Sequence, residues 1–138
     1  MYLLDTNACI RVLNGTSTKL VARLREHAPA EIRLCSVVKA ELVFGARRSS
    51  RIADNLRLLR RFFEPLQSLP FDDECAERYA LIRSELERSG TPIGPNDMLI
   101  AATAVTHAAV LVTHTVAEFS RVAGLALEDW EAGVAKGR

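Results

Sequence analysis

The first ten residues, MYLLDTNACI (1–10), place a short apolar run directly before an aspartate. Tyr2, Leu3 and Leu4 are typical of a short buried β-strand. Asp5 follows at the tip of that strand, where its carboxylate would be close to the protein interior. An ionisable group in such a place is costly unless it is paired or ligated. The reason for Asp5 must therefore be sought in other polar groups that reach the same position.

Strand-like runs alternate with helical patterns along the rest of the chain. Residues 32–38 (IRLCSVV) and 109–113 (AVLVT) are typical of buried strands, and 66–71 (LQSLPF) could hold another. A first helix is expected only after the loop at 15–18, and Ser36 is a plausible N-cap for the helix after the second strand. Further helical patterns occupy residues 37–48, 50–66, 72–90, 98–108 and 116–122. The alternation predicts one α/β domain over residues 1–138, built around a parallel sheet.

Composition excludes several functional classes. The 138 residues carry a formal net charge of +1, so bulk charge indicates neither a nucleic acid nor a membrane as partner. No apolar run approaches the roughly 20 residues that span a bilayer, and no signal peptide is expected at the start. Cys9, Cys35 and Cys75 form an odd set without a CxxC pair or a zinc-type spacing. Free thiols of this kind favour a reducing, cytoplasmic setting.

Four acidic residues are expected at the edge of the sheet where parallel strands end. Asp5 ends the first strand, and Glu41 lies within about two turns of the second, on the helix that follows it. Asp97 opens the helix after the GTPIGP loop, and Glu118 follows the VLVT strand together with His114. Ligands of open parallel sheets bind at the carboxyl ends of the strands. These side chains can therefore converge although the sequence separates them widely.

Each acid alone has an ordinary structural explanation. Asp5 could be an N-cap, Asp97 could favour the dipole of its helix, and Glu41 and Glu118 could be solvated surface acids. Together, however, close carboxylates repel one another and raise one another's pKa values. A divalent cation such as Mg²⁺ or Mn²⁺ relieves that repulsion, since both ions prefer oxygen ligands. The chemistry that this pattern indicates is metal-assisted hydrolysis of a phosphodiester.

Four stretches of the sequence together resemble PIN-domain ribonucleases, specifically the VapC-type toxins of toxin–antitoxin pairs. They are LLDTNACI (3–10), CSVVKAELVFGA (35–46), GTPIGPNDMLIAATA (90–104) and LVTHTVAEFSRVAGLALEDW (111–130). The resemblance implies a PIN-like three-layer sandwich with a short central parallel sheet flanked by helices. It also implies a Mg²⁺- or Mn²⁺-dependent endoribonuclease that acts on structured RNA, such as a tRNA or a ribosomal RNA loop. A VapB-type antitoxin would be the partner, and a homodimer or a larger assembly with that antitoxin is expected.

The resemblance also assigns roles to individual residues. Asp5, Glu41 and Asp97 would be the metal ligands, directly or through water. Thr6 would donate a hydrogen bond to a carboxylate or a phosphate, and Asn7 would order the loop after the first strand.

One position departs from the family's pattern. Many PIN domains have a further acid just after the last core strand, where this chain has Thr115. Glu118 is the nearest acid and would complete the cluster as a weaker ligand or by holding water, which favours one tightly bound metal. Arg47, Arg48 and His114 are the candidate RNA contacts, although exposed arginines also occur on ordinary solvated helices.

Alternative functions fit the sequence less well. A dehalogenase-type phosphotransferase needs an acid two residues after Asp5, where Asn7 stands, and a receiver domain needs a lysine that LVTHT lacks. A structure-specific DNA nuclease would need a clamp region that a chain of this length does not offer. A non-catalytic PIN-like module that binds RNA or a partner remains open, because Thr115 replaces an acid.

Overall fold

The fold begins with the strand that the opening residues predict and places it at the centre of a sheet. The structure is a computed structural model that describes residues 1–132, so the last part of the domain predicted over 1–138 lies outside the described residues. The strands are β1 (Tyr2–Leu4), β2 (Ile32–Cys35), β3 (Gln67–Leu69), β4 (Val110–Val112) and β5 (Leu127–Glu128).

Helices connect the strands and flank the sheet. Within the described residues they are α1 (Thr6–Asn14), α2 (Thr18–Arg25), α3 (Ser36–Arg47), α4 (Ile52–Phe63), α5 (Asp73–Arg88), α6 (Pro95–Thr106) and α7 (Val116–Phe119). A 3₁₀ turn at Pro29–Glu31 leads into β2. In this part of the chain no helix is long and apolar enough to cross a bilayer.

All five strands are parallel, in the order β3-β2-β1-β4-β5. This arrangement confirms the predicted α/β fold class. The chain builds the sheet outward from β1 through β2 to β3 and then crosses to β4 on the opposite side of β1. Such a reversal of strand order opens a crevice at the carboxyl ends of β1 and β4, where ligands of open α/β sheets bind. Asp5 follows β1 at that crevice.

The core explains why the central strands are mainly apolar. Leu3, Leu4, Leu34 and Leu111 have no exposed surface, because helices cover the sheet. In α6, every residue from 100 to 104 is buried, so the alanine-rich sequence lets this helix pack closely against its neighbours. The first turn of α6 therefore has a fixed position relative to the sheet.

Helix α1 is the main element that the sequence analysis missed. It begins immediately after β1, whereas the first helix was expected only beyond residue 18. The side chain of Asp5 caps it by accepting a hydrogen bond from the backbone N–H of Ala8. Gly15 ends it with φ at +64°, a left-handed conformation that glycine adopts without strain. Asn7 thus lies on the exposed first turn of a helix rather than ordering a loop.

Two other helix boundaries differ from the predictions by a few residues. The second strand ends at Cys35, which is the N-cap of α3, so Ser36 is already the first helical residue. Helix α6 begins at Pro95 rather than Met98, because the fixed φ of proline suits the first turn and its missing N–H costs nothing there. Asn96 and Asp97 consequently lie within the first turn of α6.

Candidate active site at the carboxyl edge of the sheet

Asp5 combines a structural and an electrostatic role at the end of β1. Its backbone N–H donates to the carbonyl oxygen of Val112 at 3.1 Å, which fixes it beside β4. Its Oδ1 accepts from the Ala8 N–H at 2.8 Å, and the residue is only 4% exposed. Burial raises the pKa of this carboxyl, while hydrogen bonds from the Thr113 hydroxyl and the Ala8 N–H lower it. The N-cap explanation and the site explanation are therefore both compatible with the structure.

Glu41 is held at both of its carboxylate oxygens by side chains from other helices. The hydroxyl of Thr6 in α1 donates to Oε1 at 2.5 Å. The amide nitrogen of Asn96 in α6 donates to Oε2 at 3.1 Å. Glu41 thus links α3 to both helices that begin at the crevice, and its carboxylate has a defined orientation. The sequence analysis proposed Thr6 but missed Asn96, whose only local signal is its place before Asp97 at a helix start.

Asp97 shows that the predicted acids share one electrostatic environment. Burial raises the pKa of its carboxyl to about 6, and the negative charges of Glu118, Asp5 and Glu41 act in the same direction. Four carboxylates that the sequence separates by more than 110 residues therefore lie near one another. Asp97 is partly buried in the first turn of α6, where the helix N-terminus also favours a negative charge.

The four acids are close but do not form a compact ligand shell. Within residues 1–132, the groups of three ligand-type side chains whose ligand atoms all lie within 4.8 Å are found elsewhere. They are Asp72–Cys75–His107 and His114–Asp129–Glu131. The spacing of the four acids leaves room for water between a carboxylate and a cation, as is common for Mg²⁺.

The segment after β4 contributes a residue that the sequence analysis did not single out. Thr113 is buried, and its hydroxyl hydrogen-bonds to Asp5 and accepts from the Thr115 N–H at 2.9 Å. Thr115 itself is the N-cap position of α7, without a side-chain capping bond. The side chain that reaches Asp5 is therefore that of Thr113. Only the strand order could have identified it, because β4 pairs with β1 across more than 100 residues.

His114 belongs to a polar group beside the acids. Its Nδ1 lies 3.0 Å from Oδ2 of Asp129. Glu131 accepts from Arg11 at 2.7–2.8 Å, and the charges of both residues influence the pKa of Asp5. Neither Asp129 nor Glu131 was a candidate in the sequence analysis. His114 is thus oriented by a carboxylate at the rim of the crevice.

The two candidate RNA-binding arginines differ in their relation to Glu41. Both are exposed at the end of α3, and the Arg48 guanidinium lies 5.3 Å from the centre of the Phe44 ring. Residues seven apart share a helix face, so Arg48 projects from the face of Glu41, about 10 Å along the axis. Arg47 lies on a different face. The pair therefore does not point as a unit toward the acids.

An apolar groove of about 280 Å³ adjoins Glu41. Residues of α1, α3 and α4 line it: Ile10, Leu13, Asn14, Glu41, Leu42, Gly45, Ala46, Asn55, Leu58 and Leu59. Ile10 and Leu58 remain 40% and 46% exposed, so the groove presents apolar surface to solvent. The groove thus offers a binding surface directly beside the carboxylates.

The donor set fits a hard divalent cation. The residues at the crevice present carboxylate, hydroxyl and amide oxygens, which Mg²⁺ and Mn²⁺ prefer. Burial is the largest cause of the raised pKa of Asp97, and the three neighbouring carboxylates add negative charge that such a cation would neutralise.

Comparison with known proteins identifies the family. Residues 2–125 match the family model of the PIN domain. The chain is 35% identical over 131 residues to the tRNA(fMet)-specific endonuclease VapC of Salmonella typhimurium, which covers 94% of this chain and 97% of that protein. It is 36% identical over 132 residues to ribonuclease VapC2 of Rickettsia felis, covering 95% and 98%. The chain therefore belongs to the PIN-domain family.

Structural similarity leads to the same family. A crystal structure of VapBC2 from Rickettsia felis, bound to a DNA fragment from their promoter, matches with a TM-score of 0.87 and 36% identity. The match covers 94% of this chain and 98% of that one. Within the PIN-domain family, the relatives that this chain resembles along nearly its whole length are VapC ribonucleases, so the predicted family is confirmed.

Proposed function

We propose that this protein is a metal-dependent endoribonuclease and the toxin of a VapBC-type pair, which cleaves structured RNA to inhibit translation. The observation that carries the proposal is the convergence of Asp5, Glu41, Asp97 and Glu118 at the switch point of the sheet. The raised pKa of Asp97 supports it, because the other three acids all contribute to that shift. Clusters of this kind are typical of functional sites.

Asp5, Glu41 and Asp97 would hold one Mg²⁺ or Mn²⁺ ion, directly or through water. When bound, such an ion lowers the pKa of a coordinated water and neutralises charge on a phosphate. The hydrogen bonds from Thr6 and Asn96 hold both oxygens of Glu41 in place before any ligand arrives. Orientation of this kind raises affinity, since less freedom is lost on binding.

Glu118 would act as a weaker fourth ligand near Asp97, or would hold a water molecule there. Its charge is the strongest acidic influence on that carboxyl, which supports a place in the cluster. Thr115 would act only through its backbone, by anchoring the turn that also positions Thr113 beside Asp5.

The substrate would be RNA, and a tRNA is the first one to test. The Salmonella typhimurium relative is named as specific for tRNA(fMet), and 35% identity over nearly the whole chain supports a related substrate. Arg48, with Arg47 in support, would contact phosphates at the rim, and His114 would meet the RNA where Asp129 orients it. These contacts position RNA without reading its sequence.

The apolar groove beside Glu41 would receive the VapB-type antitoxin. Its exposed Ile10 and Leu58 suit the apolar face of an amphipathic segment, in the helix-in-groove mode. A segment seated there would end beside the carboxylates and block RNA.

We further propose a homodimer that forms a heterotetramer or a larger assembly with the antitoxin, acting in the cytoplasm where its RNA is found. Light scattering of the complex tests the assembly.

The test is cleavage of total bacterial tRNA by purified protein with Mg²⁺, Mn²⁺ or EDTA, read by sequencing the new 5′ ends. Discrete cuts are expected with either metal and none with EDTA or with Asp5→Asn. Glu87→Gln is the matched control, because Glu87 is an exposed acid on α5 that pairs only with Arg83 among the described residues. Cuts that persist in Asp5→Asn or in EDTA would contradict the proposal. An absence of cuts from folded wild-type protein would favour the non-catalytic module, which the threonine at 115 keeps open.

A further inference from the structure

A second cluster of metal-ligand side chains lies where α5 begins and α6 ends. Asp72 is the N-cap of α5, and Cys75 stands three residues later in its first turn. His107 is the C-cap of α6, which packs against α5. One ligand atom from each of the three residues lies within 4.8 Å of the other two. The N-cap and N3 positions of a helix face each other, which explains why Asp72 and Cys75 meet.

The distances around Cys75 match a coordination centre. Its Sγ lies 3.8 Å from Nε2 of His107 and 3.6 Å from the carbonyl oxygen of Pro70. Nε2 of His107 lies 3.2 Å from the same carbonyl oxygen. A point equidistant from the three atoms lies about 2 Å from each, close to Zn–N bonds of about 2.0 Å and Zn–S bonds of about 2.3 Å. No side chain would need to move far to bind a cation there.

Asp72 can be a ligand without losing its role as a cap. Its Oδ1 accepts from the Cys75 N–H at 3.0 Å, which leaves the second oxygen for a cation. The residue is exposed, so the cluster is open to solvent on one side. A cation can therefore reach the buried sulfur from that side.

A buried hydroxyl without a partner in the described part of the chain lies beside the sulfur. The hydroxyl of Thr106 is buried and has no hydrogen-bond partner among residues 1–132. It lies beside Cys75: burial raises the pKa of that thiol, and the Thr106 hydroxyl acts in the opposite direction. A metal-bound thiolate would accept the hydrogen bond that this hydroxyl otherwise lacks. Hydrogen bonds of this kind typically support metal ligands.

We propose that Asp72, Cys75 and His107 form a second metal site that takes a zinc-class cation, with the Pro70 carbonyl close enough to be a fourth ligand. The mixed sulfur, nitrogen and oxygen donors suit Zn²⁺ rather than Mg²⁺. Binding releases the thiol proton to solvent, and the cation ties the start of α5 to the end of α6. The site is distinct from the acidic cluster, since His107 lies ten residues beyond Asp97, about 15 Å along the same helix.

Cobalt(II) is the probe, because a cobalt–thiolate bond produces a charge-transfer band in the near ultraviolet that carboxylate ligands do not. The full-length reduced protein is titrated with Co²⁺ in excess Mg²⁺. One equivalent should produce the band, and Zn²⁺ should remove it. Cys75→Ser should lose the band, and His107→Gln should weaken Co²⁺ binding at least tenfold. Cys9→Ala, which removes a thiol outside the cluster, should keep both the band and the affinity.

Thermal unfolding provides an independent test of metal binding. Zn²⁺ should raise the Tm of wild-type and Cys9→Ala protein and leave that of Cys75→Ser and His107→Gln unchanged. The proposal would be overturned if the wild type gave no cobalt–thiolate band, or if Cys75→Ser gave an equal band. Cys75 and His107 would then form only a thiol–imidazole contact without a metal. If Cys75→Ser does not fold by circular dichroism, His107→Gln decides: unchanged Co²⁺ affinity in that variant would overturn the proposal.

Discussion

The hydroxyl of Thr6 donates a 2.5 Å hydrogen bond to Oε1 of Glu41, a residue 35 positions further along the chain. This bond joins the first turn of α1 to the middle of α3 at the mouth of the crevice. Because Asn96 holds the other oxygen, the Glu41 carboxylate cannot rotate freely. The orientation of a candidate metal ligand thus depends on two neutral side chains.

We expect Thr6→Val to weaken Mn²⁺ binding and RNA cleavage by about 10- to 100-fold, the usual cost of losing a residue that orients a ligand. Valine keeps the branched shape, so the fold should remain intact by circular dichroism. Thr6→Ser retains the hydroxyl and should recover most of the activity. Mn²⁺ titration followed by calorimetry checks the affinity, and equal values for the valine and serine variants would exclude the orienting role.

Asp97→Asn should stabilise the metal-free protein while abolishing cleavage. Burial and three neighbouring acids raise the pKa of Asp97 to about 6, so its charge opposes folding at neutral pH. The variant should gain on the order of 1 kcal/mol at pH 7, after discounting for solvent screening. Denaturant unfolding in EDTA measures this difference.

The stabilisation by Asp97→Asn should depend on pH. A carboxyl with a raised folded pKa holds its proton longer in the folded state, so its destabilising effect grows between about pH 4 and pH 6. The two proteins should therefore be nearly equally stable near pH 4 and differ fully at pH 7. A difference that stays constant across this range would mean that ionisation of Asp97 is not its origin.

Leu58→Asp should release the toxin from its antitoxin. Leu58 lines the groove beside Glu41 and is 46% exposed, so a charge there would be buried without a partner in the complex. Leu81→Asp is the matched control, because Leu81 is 48% exposed on α5, outside the groove. Both variants should cleave RNA, and only Leu58→Asp should arrest growth when the VapB-type antitoxin is co-expressed. Growth arrest by neither variant would place the antitoxin elsewhere.

Arg48→Ala should reduce cleavage more than Arg47→Ala. Arg48 shares a helix face with Glu41, whereas Arg47 does not. Loss of one phosphate contact should lower kcat/KM several-fold and reduce the salt dependence of RNA binding by about one charge. Cleavage rates between 50 and 200 mM salt provide the measurement. Equal effects of the two variants would show that both reach the RNA.

The sequence allowed prediction of those parts of the molecule that depend on local patterns. Short, mainly apolar runs predicted β1, β2 and β4, because helices on both faces of a parallel sheet bury most of the side chains of its central strands. The order of those strands was not predictable from the sequence, since pairing joins residues 108 positions apart. Helix α1 was missed although Asp5 had been considered as an N-cap; the helix is only nine residues long and ends at Gly15, where the expected loop begins.

The sequence by itself determined the fold class, the family and the identity of four acids, since apolar periodicity and the four family stretches are local properties of the chain. Only the tertiary structure decided which neutral side chains hydrogen-bond to those acids. It also decided which side chains outside the acidic cluster lie in contact. Asn96 approaches Glu41 across 55 residues, and His107 approaches Cys75 across 32, although the cysteine spacing gave no sign of a metal site. Such contacts arise from the packing of α6 against α3 and α5, and helix packing depends on the shapes of whole surfaces rather than on any short motif.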